Sequence, residues 1–137
     1  MKKLFLTFFA VVLFVPFFYG CQPVNTFSPE TGWITYEVRD GLSYDEAWMI
    51  VVDAVLARDY QFEILAKDDG YIKTEYYHET VESQGVEVRT RISVKFSYGR
   101  KTIRMKVDED YIIGTKTPGV DIPRVADLKV DLRDRLL

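Results

Sequence analysis

This chain of 137 residues has one cysteine and one histidine, and so few of the side chains on which nucleophilic and metal-assisted chemistry depends. With His78 alone, a catalytic zinc site of the usual kind is short of ligands, since it draws several from His and Cys. A hydrolase of the common serine or cysteine type needs a nucleophile, a base and a group that orients the base. No serine lies in a nucleophile-elbow sequence, and His78, at the end of an expected strand beside a polar loop, reads as a surface residue. Carboxylates are plentiful, at Asp68-Asp69, at Asp108-Glu109-Asp110, and at Asp127, Asp131 and Asp134. None follows the spacing of a calcium loop, and adjacent acids in turns are ordinarily solvated. No catalytic residue, metal site or cofactor is therefore expected. A carboxylate-based enzyme would require Asp68, Asp69, His78, Asp108 and Asp110 to converge in space.

Long apolar runs are equally scarce. The one present, Leu4 to Tyr19, is broken only by Thr7 and Pro16. Its sixteen residues fall short of the roughly 20 of a spanning helix, and Pro16 removes a backbone donor. Met1-Lys2-Lys3 precedes it and Gly20-Cys21 follows, which is the positive start, apolar middle and small residue of a secretory signal. A lone cysteine in an exported protein calls for an intermolecular disulfide or leaves a reactive thiol; lipid on its sulfur resolves that difficulty. Phe18-Tyr19-Gly20-Cys21 resembles the lipobox of bacterial lipoprotein signals, with Phe18 and Tyr19 standing where smaller or aliphatic residues are usual. The resemblance implies cleavage between Gly20 and Cys21, a diacylglyceryl group on the sulfur and an acyl chain on the new amino group. Each buried methylene contributes ~0.8 kcal/mol, and two or three chains make the anchoring stable where one alone is marginal. By the sorting rule of enteric bacteria, Gln22 in place of aspartate after the cysteine points to the outer membrane, with the domain facing the periplasm.

Loss of Lys2 and Lys3 with the signal takes the 18 Lys and Arg to 16, against 21 Asp and Glu, a formal net of -5. Such a domain has no general affinity for nucleic acid or anionic membrane, and no nucleic-acid partner is expected. Residues 21–32, with Pro23, Pro29 and Gly32, read as the lipidated cysteine and a flexible tether. As a coil, its eleven residues after Cys21 reach ~18 Å on average.

Residues 33–137 read as one domain. Ile34, Tyr36 and Val38 alternate with Thr35, Glu37 and Arg39 in the period of a half-buried strand. Ser43-Tyr44-Asp45-Glu46 is a capping box opening a helix to about Arg58. Tyr44, Ala47, Trp48, Val51 and Val55 form its inner stripe, widened by Met49, Val52 and Leu56. Strands are expected at Tyr60 to Leu65, Tyr71 to His78, Val86 through Phe96 and Thr102 to Val107. Asp68-Asp69-Gly70 and Ser97-Tyr98-Gly99-Arg100 mark turns, Glu79 to Gly85 a polar loop, and Asp108 to Gly119 an irregular stretch. Pro123 then starts a second amphipathic helix carrying Val125, Leu128, Leu132 and Leu136. The order β-α-β-β-β-β-α predicts an α+β fold, a mostly antiparallel five-stranded sheet with two helices packed on one face.

The outward sides of two neighbouring strands gather Arg89, Arg91 and Lys95 opposite Arg104 and Lys106, with Arg100-Lys101 at the turn. These five strand cations form a candidate binding face for an acidic partner or a phosphorylated glycan or lipid. The bland alternative is a solvated face balanced by Glu75, Glu87 and Asp108. Aromatic residues left exposed on the sheet would suit protein–protein contact.

Leu42-Ser43-Tyr44-Asp45-Glu46-Ala47-Trp48, then Tyr60-Gln61-Phe62-Glu63-Ile64, Asp68-Asp69-Gly70 and Ile72-Lys73-Thr74, resemble a bacterial envelope module with a helix-grip arrangement. Such modules occur, two to a chain, in the lipoprotein C subunit of the outer-membrane β-barrel assembly machinery. The resemblance implies a non-catalytic accessory role at the membrane, with an envelope protein as partner. A helix-grip sheet curling around a lipid or small apolar ligand is the alternative.

Overall fold

A computed structural model describes residues 32–137. The expected export signal, Gly20, Cys21 and the tether as far as Thr31 lie outside them. The fold is α+β, with two helices on one face of an antiparallel sheet of six strands.

Helix α1 (Tyr44–Leu56) begins where the capping box places it. The Glu46 amide donates to Ser43 Oγ at 3.2 Å, and the Ser43 amide donates to the Glu46 carboxylate at 2.8 Å. Its inner face buries Ala47, Trp48, Val51, Val52, Ala54 and Val55, while Met49 and Leu56 stay about half exposed. Helix α2 (Pro123–Leu136) starts with proline in its first turn and buries Val125, Leu128, Leu132 and Leu136 completely. Fully burying each such side chain is worth roughly 1.5–3 kcal/mol.

The strands are β1 (Trp33–Glu37), β2 (Phe62–Ala66), β3 (Tyr71–Thr74), β4 (Tyr77–Val81), β5 (Val86–Phe96) and β6 (Thr102–Ile113). They lie in the order β1-β6-β5-β3-β2, with β4 following β3 along the same side of β5. Inward, Tyr36, Ile72, Ile92, Val94, Phe96, Ile103 and Met105 meet the helices. Trp48 packs its ring 5.6 Å from that of Phe96, and Tyr44 meets Phe96 edge-on at 5.2 Å. A smaller core of Val81, Val86, Val88, Ile122 and Val125 fills the other end.

Two departures from the sequence expectation have local causes. The single strand expected from Tyr71 to His78 is broken into β3 and β4, so five strands follow α1 rather than four. Lys73 pairs with Ser93 but Tyr77 pairs with Thr90, so one extra residue is inserted opposite β5, as in a β-bulge. The side chain of Thr74 stabilises the break: its hydroxyl accepts from the Ile92 amide at 3.0 Å and donates to the Glu75 carbonyl at 2.9 Å. Consequently β4 runs on to Val81, inside the expected polar loop, and a 3-10 turn at Glu82–Gln84 leads to Gly85 in the left-handed region. The second departure is β6, which continues to Ile113 through a stretch expected to be irregular. Its acids are not loop residues, because Asp108 and Asp110 stand opposite Arg91 and Arg89 in the ladder.

Two arginines fasten α2 to the rest. Arg58, just past α1, donates to the Asp127 carbonyl at 2.9 Å and pairs with Asp131 at 2.8 Å. Arg124 reaches back to the Arg58 carbonyl, and its guanidinium lies 3.9 Å from the Tyr77 ring centre. At the sheet edge the Arg39 amide donates to the Leu136 carbonyl at 2.8 Å, joining the start of the domain to its end.

Candidate binding face

Covering one side of the sheet with both helices leaves the other side open, and strand alternation decides what stands there. On β5 the inward Ile92, Val94 and Phe96 put Arg91, Ser93 and Lys95 outward; on β6 the inward Ile103 and Met105 put Arg104 and Lys106 outward. All five expected cations thus share one face, and the structure brings them into adjacent rows. Arg89 is opposite Asp110, Arg91 opposite Asp108, and Lys95 opposite Arg104. Lys106 stands opposite Ser93 on one side and Trp33 on the other. Arg100 leaves the group: its side chain stacks 4.3 Å over Tyr44 and donates to the Asp68 carbonyl at 2.6 Å.

Of the three balancing acids expected, Asp108 takes that part, and Asp110 joins it in place of Glu75 and Glu87. Arg89 pairs with Asp110, and Asp108 receives both Arg91 at 2.9 Å and Lys106 at 2.8 Å. Neither Glu75 nor Glu87 forms an ion pair among the described residues. Burial alone would raise the pKa of Asp108, but the hydrogen bonds from Lys106 and Arg91 outweigh it and hold the carboxyl below its ordinary range. Lys73, also outward, pairs with Glu63 on β2 at 2.9 Å. Lys95 and Arg104 are both exposed and have no carboxylate partner among the described residues.

Aromatic rings are interleaved with these cations. The bulge turns Tyr76 to the open face, where Arg89 and Arg91 lie 4.8 and 4.5 Å from its ring centre. Trp33 sits under the Arg104 guanidinium at 5.3 Å, and Tyr71 is opposite Lys95. Cation–π contacts at such exposed sites are worth about 0.5–1 kcal/mol. Tyr76, Trp33, Lys73 and Glu63 were not among the residues singled out for this face. The alternation of Tyr71 and Lys73 about inward Ile72 carries that signal for β3, whereas the bulge that places Tyr76 has none.

The carboxylates that an acid–base enzyme would need are dispersed. Asp68 and Asp69 lie in the turn between β2 and β3, while Asp108 and Asp110 are on the outward side of β6. Only His78 approaches them, opposite Arg89, which itself separates it from Asp110. Among the described residues no three His, Cys, Asp or Glu side chains cluster so as to hold a metal ion, and no helix is long and apolar enough to cross a membrane.

No protein-family model matches the chain, and no curated protein sequence matches it. Among solved structures it is similar to the adenylate sensor from AMP-activated protein kinase in complex with 5-aminoimidazole-4-carboxamide 1-β-D-ribofuranotide. The TM-score is 0.41 at 14% identity, over 75% of this chain and 93% of that one, a likeness too loose to transfer a ligand.

Proposed function

We propose that this protein is a membrane-anchored bacterial lipoprotein whose domain is a non-catalytic binding or scaffolding module of the cell envelope, held by lipid on Cys21 in the outer membrane and facing the periplasm. The observation that supports the binding role is the open sheet face, where cations stand among Trp33, Tyr71 and Tyr76 with no helix or strand of the described residues covering them. Tryptophan, tyrosine and arginine are enriched in protein interfaces. The anchoring role is supported by the signal-like N-terminus and the short tether, which would keep the domain within about 20 Å of the bilayer. Binding is tested by crosslinking in native membranes followed by affinity recovery of the full-length protein. A specific envelope protein recovered with it is the expected result, and recovery of the protein alone under every condition sinks the reading. Anchoring is tested separately by Cys21→Ser, which should move the folded domain to the soluble fraction. Retention in the membrane would mean that Leu4 to Tyr19 is an uncleaved anchor.

A further inference from the structure

We infer that Lys95 and Arg104 form a docking point for two neighbouring carboxylates of an acidic protein segment. The inference rests on reading the open sheet face as a binding surface, and it names the chemistry of what binds there.

The face is not uniformly basic once each cation is matched with what it already has. Arg89, Arg91, Lys106 and Lys73 each meet Asp110, Asp108 or Glu63. That leaves Lys95 and Arg104, which are direct partners across β5 and β6. Opposed residues of an antiparallel pair have Cβ atoms about 4.5–5.5 Å apart, and like charges there destabilise the sheet. A local conflict of this kind, with no carboxylate among the described residues to relieve it, is what functional sites retain. Two rings complete the spot: Trp33 at 5.3 Å from the Arg104 guanidinium, and Tyr71 opposite Lys95 on β3. Trp, Tyr and Arg are the side chains that most often dominate the energy of protein contacts.

The geometry suits carboxylates on a chain better than a sheet of phosphates. Asp108 and Asp110, two and three rows from the Arg104 row, already take up Arg91, Lys106 and Arg89, so what is left over is one pair of cations and not the extended basic surface that a flat anionic bilayer would meet. An acidic segment lying over the two cations avoids both acids. In an extended segment, alternate side chains project on one side roughly 6.6 Å apart, so two of its carboxylates can approach the two long cationic side chains together.

The test uses the full chain carrying Cys21→Ser, so that lipid plays no part. It is titrated at low salt with an alternating Glu-Ser octapeptide, with phosphatidylglycerol vesicles and with inorganic phosphate, following Trp fluorescence and amide chemical shifts. Peptide binding is expected, with the largest shifts on β5, β6 and β1. Lys95→Glu with Arg104→Glu should weaken it at least about tenfold. This pair of changes keeps like charges opposed, so thermal unfolding should show the variant folded. Lys67→Glu with Arg133→Glu, which alters the net charge equally, should weaken binding less than about twofold. Equal weakening in both variants, no peptide binding, or binding to vesicles or phosphate without peptide each overturns the inference. If peptide binding is absent while the crosslinked envelope protein is still recovered, the docking point is wrong and the binding-module reading stands.

Discussion

Lys95→Glu should make the isolated domain more stable. In the native sheet Lys95 faces Arg104 directly, and both side chains are exposed. A cross-strand pair of like charge costs, and a pair of opposite charge contributes, roughly 0.2–1 kcal/mol each. Reversing one charge removes the first and adds the second. The substitution also leaves the Arg104–Trp33 stacking in place and sets a carboxylate diagonally from Lys106 and Lys73. Screening by water trims these gains, so a net stabilisation of about 1 kcal/mol is expected at low salt. For a domain of this size that corresponds to a rise in Tm of about 4 °C. Urea unfolding at low salt and again at about 1 M NaCl separates charge from packing, because the Debye length falls to ~3 Å and the gain should largely vanish. If Lys95→Glu is neutral or destabilising at low salt, the opposed cations are not a cost. The view that this spot is held in readiness for an outside anion then fails.

Three further outcomes follow from the core and the helix fastening. Tyr60 and Thr90 are buried and share one hydrogen bond at 2.7 Å, so Tyr60→Phe should cost about 1–3 kcal/mol by orphaning the threonine hydroxyl. Adding Thr90→Val should restore most of that in urea denaturation, and a double variant less stable than either single one would refute the pairing. Burial pushes the hydroxyls of Tyr36 and Tyr60 up to about 12. Their folded pKa values are raised, so stability is unaffected below about pH 10, where unfolded tyrosine ionises, and falls as pH climbs toward 12. Urea midpoints from pH 8 to 11.5 should stay level and then drop, less steeply in Tyr60→Phe; a flat profile contradicts the burial. Finally, Arg58→Lys should lose most of the link to Asp127 and Asp131, since an ammonium cannot reproduce the fork of a guanidinium. A loss of about 1–3 kcal/mol is expected, with amide exchange in α2 faster than in β5, and unchanged α2 protection would count against its role.

The helices and the long strand were legible because each has a strong local period and a local stop. Val86 to Phe96 alternates without a fault, and Ser43 with Glu46 caps α1 in a way that needs nothing distant. The break at Thr74 was not legible, since a threonine hydroxyl replacing a backbone acceptor depends on the amide of Ile92, far along the chain. The extension of β6 was hidden by composition alone. Asp108-Glu109-Asp110 looks like a loop until it is laid against Arg89 and Arg91, and the hairpin turn at Ser97 to Arg100 already sets that register. The positions of the five cations were thus readable from alternation. Which of them remain without a partner was not, because it depends on β6 continuing through Asp108 and Asp110, a stretch whose composition reads as a loop.

The bond from Arg39 to Leu136, and the pairing of β1 with β6, impose an order on assembly. The first strand of the domain has no place to go until Thr102 to Lys106 exist, and the helix that closes the core is the last to be made. The loop that must close between them is long, so its entropic cost comes before its contacts give any return. A ribosome releasing this chain N-terminus first therefore handles β1 and α1 before the strand that β1 pairs with exists. Folding waits for β6 and α2, and removing the residues from Leu132 onward should leave the whole domain, not merely that helix, open to proteases.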